Sequence, residues 1–215
     1  MKKIVITGSN GMIGKLILQE CLDRGDVGTV TCITRMALGI KHAKLVEVIH
    51  SNFTDYTAIE SRLKNQDVCF YCIGVYTGQV PKEQFNKVTV DFTKFFSEAL
   101  KRNSPTATFC FLSGQGADST EKSKVLFAKA KGIAENRLLK LNFAKTYIFR
   151  PGYIYPVTPR REPNVVYGLM RVFYKPVAFI YPNIGVSSKV LANKMVEVGI
   201  NGATKVVYEN EDIRK

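Results

Sequence analysis

The sequence predicts an α/β fold organised as a doubly wound parallel sheet, and three observations predict it. Short β-branched or aromatic runs trade places with helical periodicities from the start of the chain to Arg150. The first run ends in a glycine-rich turn that opens a helix, and a proline- and tyrosine-rich stretch breaks the alternation only after Arg150. Repeats of this kind close into parallel sheets with right-handed crossovers and helices on both faces.

Lys3 to Thr7 is a β-branched run ending at a glycine, the pattern of a strand buried on both faces. Met12, Ile13, Leu16, Ile17 and Cys21 then share one helical face, and Gly25 stands where a helix cap is expected. Thr29 to Thr34, Leu45 to Ile49 and Val68 to Ile73 read as further strands, with a helix around Thr57 to Leu63. A long helical pattern runs through Phe85, Val88, Phe92, Phe95, Phe96 and Leu100. Ala107 to Ser113, a helix from about Lys124 to Leu141, and Thr146 to Arg150 complete six strands with intervening helices. Beyond the break, a capped helix near Ser188 to Ile200 and a short strand at Lys205 to Tyr208 are expected. The 215 residues, 46% hydrophobic and 23% charged, suffice for one core, so residues 1–215 read as a single domain. Within it, residues 151–188 form much of a small C-terminal lobe over the carboxyl ends of the strands, where open α/β sheets bind ligands.

Composition narrows the function classes. The net charge of +13 is spread along the chain without a basic arm, so no nucleic-acid partner is expected, although the helix after Lys122 is locally basic. A diffuse positive field also attracts a polyanionic small molecule. The apolar stretch from Val165 to Pro182 is interrupted by Arg171, Lys175 and Pro176, which argues against a transmembrane segment. Its Val166, Leu169, Met170, Phe173, Phe179 and Tyr181 suggest a pocket or lid, and leave open packing on the core, weak contact with a membrane surface, or a homodimer contact. The chain opens without a signal-like leader, so a cytoplasmic location is expected. Five cysteines read as reduced thiols, and Cys69 and Cys72, three apart in a strand, should face opposite ways. With only His42 and His50 in the chain, no metal site is expected.

The chemistry concentrates at Thr7-Gly8-Ser9-Asn10-Gly11-Met12-Ile13-Gly14, a GxxGxxG between the first strand and the first helix. Gly8 permits the tight turn, Gly11 lets the backbone approach a diphosphate, and Gly14 lets the helix lie close to the strand. The exposed amides of the helix start then hold the phosphate charge, which points to a nicotinamide dinucleotide. Enzymes selective for NAD usually place an acidic residue at the end of the second strand, yet no Asp or Glu occurs from Thr29 through Val46. Arg35 stands there instead, with Lys41 and Lys44 further on, and a guanidinium pairs with a ribose 2′-phosphate. NADP(H) is therefore the preferred cofactor, with NAD(H) the other dinucleotide the turn admits; a solvated strand-end arginine is the competing reading of Arg35.

TGSNGMIG at the amino terminus, Cys72-Ile73-Gly74, the Phe111 to Asp118 segment, and Phe149-Arg150-Pro151-Gly152 together resemble the atypical short-chain dehydrogenase/reductases. The branch they resemble is the NAD-dependent epimerase/dehydratase-like one, related to the Tat-interacting-protein oxidoreductases. The resemblance covers essentially the whole chain and implies a Rossmann-type sheet with a substrate-side lobe. It also implies that Gly8, Ser9, Asn10, Gly11, Met12, Ile13, Gly14, Arg35, Cys72, Ile73, Gly74, Lys131, Pro151 and Gly152 surround the cofactor. In that superfamily a serine, a tyrosine and a lysine four residues after the tyrosine carry proton transfer. Ser113 and Lys131 fit the first and last as catalytic candidates, and the tyrosine position falls on Phe127, which has no proton to exchange. Phe127, Tyr76, Tyr153 and Tyr155 are the substrate-side candidates.

Two functions follow as expectations: an NADP(H)-dependent oxidoreductase or epimerase-like enzyme for a small carbonyl or alcohol substrate, or a non-catalytic NADP(H)-sensing module that lacks the tyrosine.

Overall fold

A computed structural model describes residues 1–158, 168, 171, 174, 176, 177 and 181–215. Seven strands form one parallel sheet in the order β3-β2-β1-β4-β5-β6-β9. They are β1 (Lys2–Thr7), β2 (Val27–Thr34), β3 (Leu45–Ile49), β4 (Val68–Tyr71), β5 (Thr108–Leu112), β6 (Lys145–Arg150) and β9 (Val207–Glu209). The expected doubly wound α/β fold is present, and the short strand near the carboxyl terminus joins the sheet edge beside β6.

The strands are apolar on both faces because both faces are covered. Along β1, Ile4 and Ile6 pack with one layer and Val5 with the other, as period-two alternation requires. The first layer holds α1 (Met12–Asp23) and α5 (Ser188–Asn201), which pack on each other. Opposite lie α3 (Phe92–Asn103) and α4 (Leu126–Lys140), together with a 3₁₀ turn at Thr57–Leu63 in place of the expected helix. Cys69 and Cys72 pack into opposite layers, as their spacing predicts.

Two further local features differ from the expectation. The helix α1 ends at Asp23 with Arg24 already extended, so Gly25 is not its cap. The Lys44 ammonium takes up that helix end instead, donating to the carbonyls of Leu22 at 2.9 Å and Arg24 at 2.6 Å. The long helical pattern after Pro81 is also divided into α2 (Lys82–Asn86), a π turn at Lys87–Asp91, and α3. A π turn inserts one residue per turn and swings the buried stripe around the helix, which is why Val88, Thr89 and Val90 are all buried in succession.

After Gly152 the chain forms β7 (Tyr153–Tyr155), which pairs in parallel with β8 (Gly185–Ser187). Asn210, at the start of α6 (Asn210–Arg214), ties this pair to the main sheet: its Oδ1 accepts from the Gly152 amide at 2.9 Å and its Nδ2 donates to the Gly185 carbonyl at 3.2 Å. The Ser187 hydroxyl accepts from the Val190 amide at 3.2 Å and caps α5. Of the apolar segment, Val166, Leu169, Met170, Phe173 and Phe179 lie outside the described residues, while Tyr181 is exposed.

Candidate functional site

From β1 the chain runs outward to β2 and β3, then returns to β4 on the other side of β1. Crossovers on the two sides lead away from each other and leave a crevice over the carboxyl ends of β1 and β4. Two cavities, of about 690 Å³ and 500 Å³, occupy it, and they share Gly11 and the Cys72 to Val75 segment as a common wall.

The base of the crevice is main chain held close by steric necessity. Gly8 has a φ of +74°, and a Cβ there would stand 2.6 Å from the Cys72 carbonyl oxygen. A Cβ on Gly14 would run into the Gly8 carbonyl oxygen, so the glycine brings the first turn of α1 down onto the strand end. The Gly11 amide closes the loop on Gly8 O at 2.9 Å, and Gly11 O accepts the first helical bond from Lys15 at 3.0 Å. No side chain caps α1 and its first turn holds no acidic residue. A helix start carries the positive end of the helix dipole, and here Gly11, Met12 and Ile13 bring that end to the wall of the second cavity. Asn10 braces the turn sideways, its Nδ2 donating to Thr34 Oγ1 at 2.7 Å and to Met36 O at 3.3 Å.

In the larger cavity, Arg35 and Met36 at the end of β2 face Phe53, Phe92 and Lys87 across the opening. The Arg35 side chain is exposed and makes no hydrogen bond or ion pair among the described residues. It is available to a ligand. Lys44, by contrast, is committed to the end of α1 and does not line the cavity.

The smaller cavity is lined by side chains. Met12, Ile13, Tyr76, Ser113, Gly114, Phe127, Lys131, Pro151, Gly152 and Tyr153 meet there. The Phe127 ring lies against Gly114, where an added Cβ would stand 2.5 Å from the ring's Cζ. Lys131 shares the helical face of Phe127, one turn on, and is only 8% exposed. Its Nζ donates to the Leu112 carbonyl at 3.0 Å and lies 5.0 Å from the centre of the Phe111 ring. Burial pushes the Lys131 pKa down to about 8, against the opposing pull of Glu135 and Cys72.

Ser113 lines the cavity, but its hydroxyl donates to Glu135 Oε1. Glu135 is 1% exposed and in turn receives Arg150, with Nε to Oε1 at 3.1 Å and Nη2 to Oε2 at 2.5 Å. Arg150 reaches on to Glu209 at 3.0 Å and to the Ser119 hydroxyl at 3.0 Å. A buried carboxylate is tolerable only with partners of this kind, and the bidentate guanidinium supplies them.

Three of the sequence candidates do not line the crevice. Ser9 is 1% exposed and turns inward toward Cys32, because the positive φ at Gly8 sends the next side chain into the protein. Gly14 serves helix packing under the turn and lines neither cavity. Tyr155 stacks on Tyr174 with ring centres 4.8 Å apart. The Glu135–Arg150 pair was not singled out from the sequence, although Glu135 carries a signal: an acidic residue on the stripe that Ala128, Ala134 and Leu138 bury. Among the described residues no three His, Cys, Asp or Glu side chains come together, and no helix is long and apolar enough to cross a membrane.

Comparisons place this geometry among known proteins. The chain is 27% identical over 176 residues to Protein HTATIP2 of Rattus norvegicus, covering 80% of this chain and 70% of that protein. It is 22% identical over 213 residues to Protein fmp52, mitochondrial, of Aspergillus niger, covering 96% and 89%. Among solved structures, the Bordetella bronchiseptica enzyme WbmH in complex with NAD⁺ superposes with a TM-score of 0.70 at 19% identity, covering 97% of this chain and 75% of that one, a likeness of fold. The sequence profile of the NAD dependent epimerase/dehydratase family matches residues 4–141, the stretch that carries the glycine turn, the switch point and the α4 face. With the sheet order and the crevice in agreement, the chain belongs to the NAD dependent epimerase/dehydratase family.

Proposed function

We propose that the crevice binds NADP(H) and that the protein is an oxidoreductase or epimerase-like enzyme acting on a small carbonyl or alcohol substrate. The observation that carries the reading is the start of α1, without a side-chain cap, above a turn where Gly8 and Gly14 have no room for a Cβ. That cradle fits a diphosphate, whose oxygens accept from main-chain amides and whose charge suits the helix start. WbmH, whose fold is similar, was crystallised with NAD⁺.

In this reading the Gly8 to Gly14 turn holds the diphosphate and Arg35 pairs with the 2′-phosphate. Cys72, Ile73, Gly74, Lys131, Pro151 and Gly152 surround the nicotinamide end, and Phe127, Tyr76 and Tyr153 wall the space left for substrate. The bound dinucleotide supplies hydride acceptance or donation. The chain's own residues orient it, exclude water and manage protons. Residues 1–215 act as one domain in which the described start of the C-terminal lobe, Pro151 to Ile154, lies on the substrate side, and the chain works in the cytoplasm; the fungal relative is by its name mitochondrial. Phe127 favours a second reading, an NADP(H)-sensing module without turnover, since phenylalanine exchanges no proton.

Titration calorimetry with NADPH and NADH tests the cofactor reading, and suits a chain without tryptophan. We expect NADPH to bind at least about tenfold more tightly, a difference of about 1.4 kcal/mol, and Arg35→Ala to erase that advantage. Equal affinities before mutation would overturn the NADP preference. Failure of both to bind would overturn the cofactor reading.

A further inference from the structure

We propose that Lys131 itself is the proton-exchanging group of this site, taking over at the cavity wall the part that a phenol at position 127 would have played. The inference rests on the dinucleotide-dependent reading and adds the identity of the acid and base. Four geometric observations support it. Phe127 occupies the tyrosine position with its ring against Gly114 and offers no exchangeable proton. Lys131 lines the same cavity one helical turn away. Its ammonium donates one hydrogen bond, to the Leu112 carbonyl, and forms no ion pair among the described residues. Two of the nearby candidate acids are committed elsewhere: the Ser113 proton goes to Glu135, and both Glu135 oxygens are taken up by Ser113 and Arg150.

In the reducing direction, a hydride from a dihydronicotinamide dinucleotide reaches the carbonyl carbon and the C=O π pair moves to oxygen. That oxygen forms a bond to a proton from Lys131 Nζ, and the N–H pair stays on nitrogen. The neutral amine recovers a proton from water. In the oxidising direction the amine takes the hydroxyl proton as hydride leaves the carbon. Burial pushes Lys131 down to about pH 8, so ammonium and amine are both accessible near neutrality, which proton exchange in both directions needs. The groups facing Nζ are Glu135 on its own helix, Cys72 after β4, and Leu112 and the Phe111 ring on β5; Arg150 on β6 neutralises Glu135 from behind. Tyr76 and Tyr153 share the cavity and are the rival donors.

The test has two readouts. Protein labelled with ¹³C at lysine Cε is titrated by NMR without ligand, and Lys131→Met assigns the resonance by removing it. A midpoint near pH 8 for that resonance is expected; a Lys131 midpoint above 10 would overturn the proposal. The second readout is oxidation of NADPH by 4-nitrobenzaldehyde from pH 6 to 10, with Lys131→Arg, Tyr76→Phe and Tyr153→Phe compared. Lys131→Arg keeps a cation but loses an ionisable amine, and we expect turnover to fall at least about a hundredfold and Phe127→Tyr in that background to recover part of it. Loss of turnover in a tyrosine variant with Lys131→Arg unaffected, or no wild-type turnover at any pH, overturns the assignment. Calorimetry separates this from the parent reading: absent NADPH binding sinks the cofactor reading, whereas NADPH binding with a Lys131 midpoint above 10 sinks only the role of the lysine.

Discussion

The two ends of the crevice are built on different principles. The end beneath the glycine turn is main chain: its shape follows from a positive φ, a missing Cβ and the open start of a helix. The end beneath α4 is side chain: a buried lysine, a phenylalanine against a glycine, and a serine held by a carboxylate that an arginine neutralises. Main-chain architecture fixes which class of ligand is gripped and tolerates almost no added atom. Side-chain architecture fixes what chemistry is available, and a single substitution such as Phe127 redirects it. The first end therefore speaks for the family and the second for this particular chain.

The sharpest way to break the contrast is at Gly14. Gly14→Ala would drive a methyl group into the Gly8 carbonyl, so the turn and helix must separate, at a cost of about 3 kcal/mol or more. Calorimetry should show dinucleotide binding lost while circular dichroism still reports the sheet; unchanged affinity would mean the turn is not the grip.

Next in size is Glu135→Ala, which strips Arg150 of its buried partner and leaves the Ser113 hydroxyl without an acceptor. Denaturant unfolding should show a loss of about 3 kcal/mol, because removing one member of a buried pair strands the other charge. Glu209 retains part of the Arg150 interaction, so a double variant with Glu209→Ala should lose more.

Lys131→Met acts in the opposite direction. Between pH 8 and the unfolded lysine value of 10.5, the unfolded chain holds the proton and the folded protein does not. Wild-type stability should therefore climb with pH across that window, and the full penalty for the buried ammonium should apply below pH 8. At pH 7 the methionine variant is expected to be more stable by on the order of 2 kcal/mol, with a flatter pH profile. A variant less stable than wild type at pH 7 would show that the hydrogen bond to Leu112 outweighs desolvation.

The smallest effect is expected at Asn10. Asn10→Ala removes the brace to Thr34 and Met36 and should cost about 1 kcal/mol of stability. Thermal unfolding would detect it, and a loss as large as that of Glu135→Ala would erase the distinction between brace and keystone.

Legibility in the sequence follows the same division. The glycine turn, the alternating strands and the Cys72 to Gly74 strand end follow local rules of sterics and periodicity, so they could be read without coordinates. The Glu135–Arg150 pair could not, because its partners lie on a helix and a strand that only the tertiary fold brings together. The inward turn of Ser9 depends on one positive φ in the preceding residue, which the motif shows only as a glycine. The π turn at Lys87–Asp91, whose first two residues line the larger cavity, left no break in an apolar pattern that the one-residue insertion merely rotates.

The most direct measurement is a crystal structure of the protein grown with NADPH. The account predicts the diphosphate seated over the start of α1, between the Gly8 turn and Ile13, with the 2′-phosphate against the Arg35 guanidinium. A diphosphate bound elsewhere, or a crevice left empty at saturating NADPH, would contradict it.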